Sequence, residues 1–206
     1  MSGVIILGAG GHAKVIADIL ISQGTQVRGF LDDDSKLWGE TRLGLPVLGA
    51  IDPHFEYEPD GLIIGIGDNL VRRSIAQRLS AQPQRMWRNA LHPQATIARS
   101  AQLGRGIVVG AGAVVNPDSV LGDHVIINTG ATVDHDCAIG DFVHVAPGAH
   151  LAGGVMVGEG ALIGIGSSLI PNVRIGEWTT VGAGSVVISD LSPRFIAFGV
   201  PAKSQE

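Results

Sequence analysis

The chain has 206 residues, 45% of them hydrophobic but only 4% aromatic, with 30 glycines and a formal net charge of -5. That acidic balance excludes a broad phosphate-backbone surface, which needs a basic face, so no nucleic acid partner is expected. No apolar run reaches the roughly 20 residues that span a bilayer, "MSGVIILGAGGH" lacks the basic start and long apolar core of a signal peptide, and Cys137 stands alone, so the expectation is a cytoplasmic protein without membrane insertion and without an internal disulfide.

The first element is a buried strand, "VIIL" at Val4 to Leu7. A glycine turn, "GAGGHA", comes next, then a helix over "KVIADILISQG" whose apolar residues recur at helical spacing and which stops near Gly24. "QVRGFLDDD" supplies a second strand ending at Asp32, and "GLIIGIG" a third, after which Asp68 and Asn69 lead into a helix through Leu79. Strands alternating with helices predict a small Rossmann-like α/β domain with a parallel sheet over residues 1–85. A junction over 86–96, containing His92 and Pro93, links this domain to the C-terminal half of the chain.

Gly8-Ala9-Gly10-Gly11-His12-Ala13 fits the G-x-G-x-x-A form of the dinucleotide fingerprint, and Asp32 lies about twenty residues on, where a ribose acceptor would stand. Some 85 residues, however, make one mononucleotide half rather than the two a dinucleotide needs. Amides at a glycine turn and helix N-terminus attract phosphate whatever is attached to it. The expected ligand is therefore a nucleoside diphosphate, with Gly8, Gly10, Gly11 and His12 near phosphate and Asp32 or Asp33 towards ribose or base. A tight strand-to-helix turn with no ligand is the alternative.

From residue 97 the pattern changes to a repeat of six. Ile97, Leu103, Val109, Val115, Leu121, Ile127, Val133, Ile139, Val145, Leu151, Val157, Ile163, Leu169, Ile175, Val181 and Val187 are all aliphatic. Two positions before each, the residue is usually small or β-branched, as at Ala113, Ser119, Ala131, Cys137, Ala149 and Ser167, so both positions are expected to point inward. Gly, Asn or Asp follows most of the aliphatic residues, as at Gly104, Gly110, Asn116, Gly140 and Gly158, and is expected to form a bent or left-handed corner. A hexapeptide repeat of this kind predicts a parallel β-helix over 97–190 in 18-residue coils, about five of them, with a tail over 191–206.

The "GAGGHA" domain with "FLDD" (30–33) and "IGDN" (66–69), followed by hexads carrying "NTGATVDHDCAIGDFVHVAPGAHLAGGV" (128–155) and a closing "GVPAK" (199–203), resembles the bacterial nucleotide-sugar N-acetyltransferases. These hexapeptide-repeat enzymes acetylate UDP-, dTDP- or GDP-linked 4-amino-4,6-dideoxyhexoses, and sialic acid O-acetyltransferases share their architecture. The resemblance implies that the β-helix is left-handed, that acetyl-CoA is the co-substrate with no metal, and that a nucleotide-linked amino sugar is the acceptor. It also implies a homotrimer with active sites between subunits. On the matching positions it places the general base at His135, with Asp136 beside it, and the histidine next to the thioester at His144. The amide facing the acetyl carbonyl falls on Gly153, the pantetheine contacts on Ile165 and Ala183, and a sugar contact on Asn128; Gly67, Asp68 and Asn69 of "IGDN" join the substrate site. Lys203, in "GVPAK", is expected either to meet a CoA phosphate or to be an ordinary solvated lysine. Ala183 replaces a frequent glycine, and Gly10 replaces the family's serine, so any hydroxyl contact to phosphate must come from elsewhere.

The repeat gives these residues a common logic. His135, His144 and His150 all alternate with inward positions and should project outward, and one 18-residue coil added to 135 gives 153, so Gly153 should stack over His135 at one strand spacing of ~4.8 Å. Acetyl transfer from a thioester needs an uncharged amine, a base and an oxyanion donor. An imidazole titrating near 6.5 suits the base; Cys137, at an inward position, reads as a packed core thiol rather than a nucleophile. Val108, Ile126 and Leu162 are expected as exposed aliphatics for subunit contact, and His124 and His150 as solvated. Two readings of other classes remain: a trimeric β-helix zinc enzyme of the carbonic anhydrase type using three histidines, and a non-catalytic nucleotide-binding scaffold.

Overall fold

The computed structural model describes residues 3–52, 54–80 and 87–204, so the end of the expected first domain, 81–85, and residue 86 of the expected junction lie outside the described residues. The chain divides into two compact units, Met1–Pro93 and Gln94–Glu206.

In the first unit, β1 (Val4–Leu7) is buried throughout and α1 (Gly11–Ser22) follows the glycine turn. β2 (Val27–Leu31), β3 (Thr41–Arg42), β4 (Leu45–Gly49) and β5 (Gly61–Ile64) complete a sheet of order β3-β4-β2-β1-β5, parallel except for the β3–β4 pair. The β3–β4 hairpin was not among the expected elements. β3 buries no residue and β4 only Val47 among its apolar side chains, which leaves the turn at Leu43-Gly44, where both residues have positive φ, as the local mark of the hairpin. α2 (Asn69–Arg78) begins at Asp68, whose carboxylate accepts from the Val71 amide. Ile5, Leu7, Leu31, Leu62, Ile64 and Ile75 form a core between the sheet and α2, where contiguous apolar strands are what a sheet covered on both faces requires.

The second unit is a left-handed parallel β-helix. Its first face is built from two-residue strands at Thr96–Ile97, Val114–Val115, Thr132–Val133, His150–Leu151, Ser168–Leu169 and Val186–Val187, and its second from Gln102–Leu103, Val120–Leu121, Ala138–Ile139, Met156–Val157 and Arg174–Ile175. The third carries Val108–Val109, Ile126–Ile127, His144–Val145, Leu162–Ile163, Thr180–Val181 and Ile196–Phe198, with Lys203–Ser204 antiparallel at its end. The ladders have a register of 18, as Val114 with Thr132 and Thr132 with His150, shortening to 16 only at the end, where Thr180 pairs with Ile196 and Ile175 with Leu191. Inward aliphatic residues from Val109 to Val187 are buried, as are the small residues two positions before them. At the open first coil Ile97 and Leu103 are only half-buried.

Three expectations need correction. The left-handed corner residues are not those directly after the aliphatic position. They lie three residues after it, at Gly106, Gly112, Asp118, His124, Gly130, Asp136, Phe142, Gly148, Gly154, Gly160, Gly166, Asn172, Trp178 and Gly184. Glycine directly after the aliphatic residue answers instead to close stacking: a Cβ on Gly140 would lie 2.7 Å from the Glu159 amide nitrogen one coil on. His124 is buried, not solvated, because its ring slots over Gly106 and stacks on Phe142 at 5.2 Å. Val108 and Ile126 are also buried, at 2% and 0% exposure. A period of six treats the three faces alike and so cannot tell which is covered. The open apolar surface lies on the second face, where Val120, Ala138 and Met156 line a groove of 450 Å³.

Ile127 is fully buried at the middle of the prism, and the surrounding coils cannot collapse without breaking their ladders. Ile127→Ala is expected to cost about 2–5 kcal/mol, measured as a lowered midpoint in chemical denaturation at constant m.

Candidate active site

At the glycine turn the Gly8 amide donates to the Leu31 carbonyl at 2.6 Å and the Ala9 amide to Asp32 Oδ2 at 2.8 Å. Asp32 Oδ1 also accepts from the Asp34 amide at 2.9 Å. Asp32 thus ties the end of β2 to the turn, keeping further lone pairs for a ligand. Gly10 is the N-cap of α1 with no side-chain cap, and a Cβ on Gly10 or Gly11 would meet nothing within 4 Å. The first amides of α1 therefore face open space, the arrangement that attracts phosphate. His12 is half-buried, and its pKa falls to about 4, first through desolvation and then through the positive charge of Arg72. It is neutral at physiological pH and offers a hydrogen bond rather than a charge.

Beside the turn lies a cavity of 330 Å³ lined by Gly8, Asp32, Asp33, Ile51, Ile66, Val71, Ser74, Ile75 and Arg78. Asp33 accepts from the Ile51 amide at 3.1 Å and pairs with Arg78 at 3.0 Å, while Arg78 Nε reaches Asp52 at 3.0 Å. Of this lining, sequence reasoning singled out only Gly8, Asp32 and Asp33. Ile51, Val71, Ser74 and Arg78 sit on a loop and on α2 with no local signal. Gly67, Asp68 and Asn69 border the same region with structural work of their own: Gly67 O and Asn69 Oδ1 accept from Arg72, and Asp68 caps α2.

In the β-helix, His135 lies in the corner that follows the first face, immediately before the left-handed Asp136, with its side chain 61% exposed. Its Nδ1 is 2.7 Å from Asp136 Oδ2. Asp136 occupies the left-handed corner, φ 59°, a conformation that short polar side chains tolerate best. Asp134, held by Asn116 Nδ2 at 2.9 Å, accepts from the His135 amide. The hydrogen bond to Asp136, reinforced by the charges of Asp134 and Asp136, raises the pKa of His135 above 6.5.

Gly153 sits one coil away, directly against this ring. A Cβ there would lie 2.6 Å from His135 Cε1 and 2.7 Å from Nε2. The Gly154 amide donates to the His135 carbonyl at 2.9 Å, and among the described residues the Gly153 amide has no acceptor. A base and a spare backbone donor are therefore set on one edge of the prism.

His144 is on the third face. Its Nε2 is 3.0 Å from Asn128 Nδ2, and Asn128 Oδ1 accepts from the Thr129 amide. With the amide nitrogen donating, His144 Nε2 accepts and its proton rests on Nδ1. Leu162 and Thr180 stand above His144 in the ladder. Ile165 and Ala183, each three residues further on, are exposed one coil apart along the edge after that face. Lys203 is exposed in the strand that pairs with Phe198 at the end of the same face. The His135 edge and the His144 edge are separated by the whole first face, so one chain does not bring the two sets together. His150, on the first face, bonds Thr132; among the described residues no group of three His, Cys, Asp or Glu is arranged around a metal.

The PglD N-terminal domain model matches residues 3–79, and the bacterial transferase hexapeptide model matches residues 154–189. The structure is similar to that of a histidine-to-alanine mutant of the GDP-perosamine N-acetyltransferase of Caulobacter crescentus, crystallised with CoA and GDP-perosamine, at 42% identity and TM-score 0.91, covering 100% of this chain and 98% of the other. It is also similar to the acetyltransferase domain of PglB from Neisseria gonorrhoeae in complex with acetyl coenzyme A, at 38% identity and TM-score 0.91, with 98% of each chain covered. The UDP-N-acetylbacillosamine N-acetyltransferase of Bacillus subtilis is 41% identical over 114 residues, 53% of this chain. The match spans 51% of the Bacillus protein and 24% of a mimivirus protein that is 34% identical over 120 residues.

The His135 environment has two measurable consequences. If the neutral imidazole is the active form, kcat/KM rises with pH through an inflection above 6.5, and Asp136→Asn, which removes the hydrogen bond and a charge, moves that limb to lower pH. Gly153→Ala, which forces the ring aside, is expected to lower kcat by roughly 10²-fold with an unchanged circular dichroism spectrum.

Proposed function

The chain belongs to the hexapeptide-repeat nucleotide-sugar N-acetyltransferases with a PglD-type N-terminal domain, and from that premise we propose that it transfers the acetyl group of acetyl-CoA to the amino group of a nucleotide-linked 4-amino-4,6-dideoxy sugar. The observation that carries the reading is the His135 imidazole, hydrogen-bonded to Asp136 and pressed against Gly153, whose amide is left without an acceptor among the described residues.

In this reading the sugar amine attacks the thioester carbonyl, forming the new C–N bond, while His135 Nε2 takes the amine proton. Asp136 holds the ring through Nδ1 and stabilises the imidazolium that results. The Gly153 amide donates to the oxygen that becomes negative in the tetrahedral intermediate, a contribution worth about 2.7–4 kcal/mol for one oxyanion donor. As the C–S bond breaks, His135 returns its proton to the departing CoA thiolate. No covalent acyl-enzyme is needed, and Cys137 is buried in the prism.

His144, with its ring fixed by Asn128, lies beside the thioester; Ile165, Ala183 and Lys203 hold the rest of CoA. The nucleotide occupies the first unit, its phosphates at Gly8 to His12 with Gly67, Asp68 and Asn69 alongside, its base or ribose in the cavity at Asp32 and Asp33. A free sialic acid would leave this diphosphate-shaped turn without use. Because the His135 and His144 edges are separated in one chain, the working unit is a homotrimer in which each site draws its base from one subunit and its CoA edge from the next. The open groove at Val120 and Met156 is available for burial in that assembly. Among the described residues no helix is long and apolar enough to cross a membrane, and a cytoplasmic location suits both co-substrates.

CoA release from acetyl-CoA, followed over a panel of UDP-, dTDP- and GDP-linked 4-amino sugars and sialic acid, is expected with a nucleotide-linked amine alone. His135→Ala should lower kcat by roughly 10²–10⁴-fold and leave the Kd for acetyl-CoA near native. Co-refolding His135→Ala with His144→Ala chains should restore part of the activity. Sialic acid turnover, a near-native His135→Ala enzyme, or a catalytically active monomer in light scattering would each refute the corresponding part.

A further inference from the structure

Arg72 is the largest fully buried side chain among the described residues, 1% exposed, and a guanidinium is rarely taken out of water unless its donors are used. It projects from the first turn of α2 back to the loop before it. Nη1 donates to the carbonyls of Ile66 and Gly67 at 3.2 and 3.0 Å, and Nη2 to Asn69 Oδ1 at 2.9 Å. Burial lowers its pKa to about 10, against an opposing pull from Asp68, so it remains charged at neutral pH.

The loop it braces is seated against the glycine turn. A Cβ on Gly8 would lie 2.8 Å from Ile66 Cγ1, and one on Gly65 would lie 2.8 Å from Ala13 Cβ and 3.0 Å from its Cα. The segments Gly8–Ala13 and Gly65–Asn69 therefore meet at backbone distance, and Arg72 stands behind the second. His12, within range of the same charge, is neutral. The fixed positive charge felt by His12 thus belongs to a buried side chain.

We propose that Arg72 is a positioning residue for the diphosphate: its fork locks the Ile66–Asn69 loop against the glycine turn and places a buried cation behind the phosphate-facing amides. This rests on the nucleotide reading above. A guanidinium donates to the two carbonyls and the amide oxygen from separate nitrogens in one plane, whereas an ammonium would have to reach all three from a single nitrogen.

The test uses the full chain in native, Arg72→Lys and Arg72→Met forms, titrated calorimetrically with GDP and UDP, with guanosine and uridine as millimolar competitors and acetyl-CoA as the control ligand. For whichever diphosphate the native protein binds, affinity is expected to fall roughly 10-fold in Arg72→Lys and roughly 100-fold in Arg72→Met. The matching nucleoside and acetyl-CoA should change less than about 3-fold, a shift far smaller than one charge-assisted hydrogen bond commands. KM for the nucleotide sugar should rise far more than kcat falls. Diphosphate affinity within about 2-fold of native in both variants, too small to reflect a lost charge-assisted bond, overturns the assignment. So does a loss shared equally by the nucleoside, the mark of a packing defect. Should Arg72→Met fail to fold, Arg72→Lys decides by the same criteria. A native protein that binds neither diphosphate overturns the nucleotide reading itself, and this assignment with it.

Discussion

One backbone constraint orders the catalytic half of the molecule: every sixth residue from Gly106 to Gly184 takes a left-handed φ. Each such residue turns the chain by one corner, three corners close a coil, and the hydrogen-bonded ladders then repeat at 18 residues without slippage. A helix built this way leaves almost no freedom in where a corner side chain points. Most corners use glycine; Asp136 does not, and there the left-handed backbone brings a carboxylate within 2.7 Å of the neighbouring imidazole. The arrangement holding His135 is thus set by the same torsion that shapes the prism.

The two units shift their histidines in opposite directions. His12, with its ring desolvated and a buried guanidinium nearby, is held neutral down to about pH 4. His135, exposed and flanked by Asp134 and Asp136, is made more basic. The first environment suits a group that must not compete for protons beside a phosphate; the second suits one that must accept a proton from an amine. One residue type is thus made less basic in the first unit and more basic in the second, with the difference supplied entirely by neighbours.

How much of the fold and the site was legible in the sequence depends on how local each signal is. β1, α1, β2, β5 and α2 were readable because their apolar periods are continuous, and the hexads because sixteen aliphatic positions recur in phase. The stacking of Gly153 on His135 came from arithmetic on that period. What sits at the corners did not: glycine at 104, 140 and 158 looks like a turn residue but answers to the backbone of the next coil, and the turn itself lies two residues later. His124 and Ile126 looked solvent-facing because a repeat says which side chains leave the prism and nothing about what they meet outside. Arg72 and Arg78 carried no signal at all. A single basic residue on a polar helix face is indistinguishable in sequence from a solvated one, and only the tertiary position of α2 turns the first inward and sets the second between Asp33 and Asp52.

The placement of Cys137 has a practical side. Its sulfur is packed inside the prism against the Ala152 carbonyl, and desolvation raises its pKa, so little reactive thiolate is present. An aromatic disulfide dye added to the folded protein would therefore find no other sulfhydryl in the chain to reduce it. Any colour that develops during turnover comes from liberated CoA, and the appearance of one dye equivalent per polypeptide would instead report that the coils had opened.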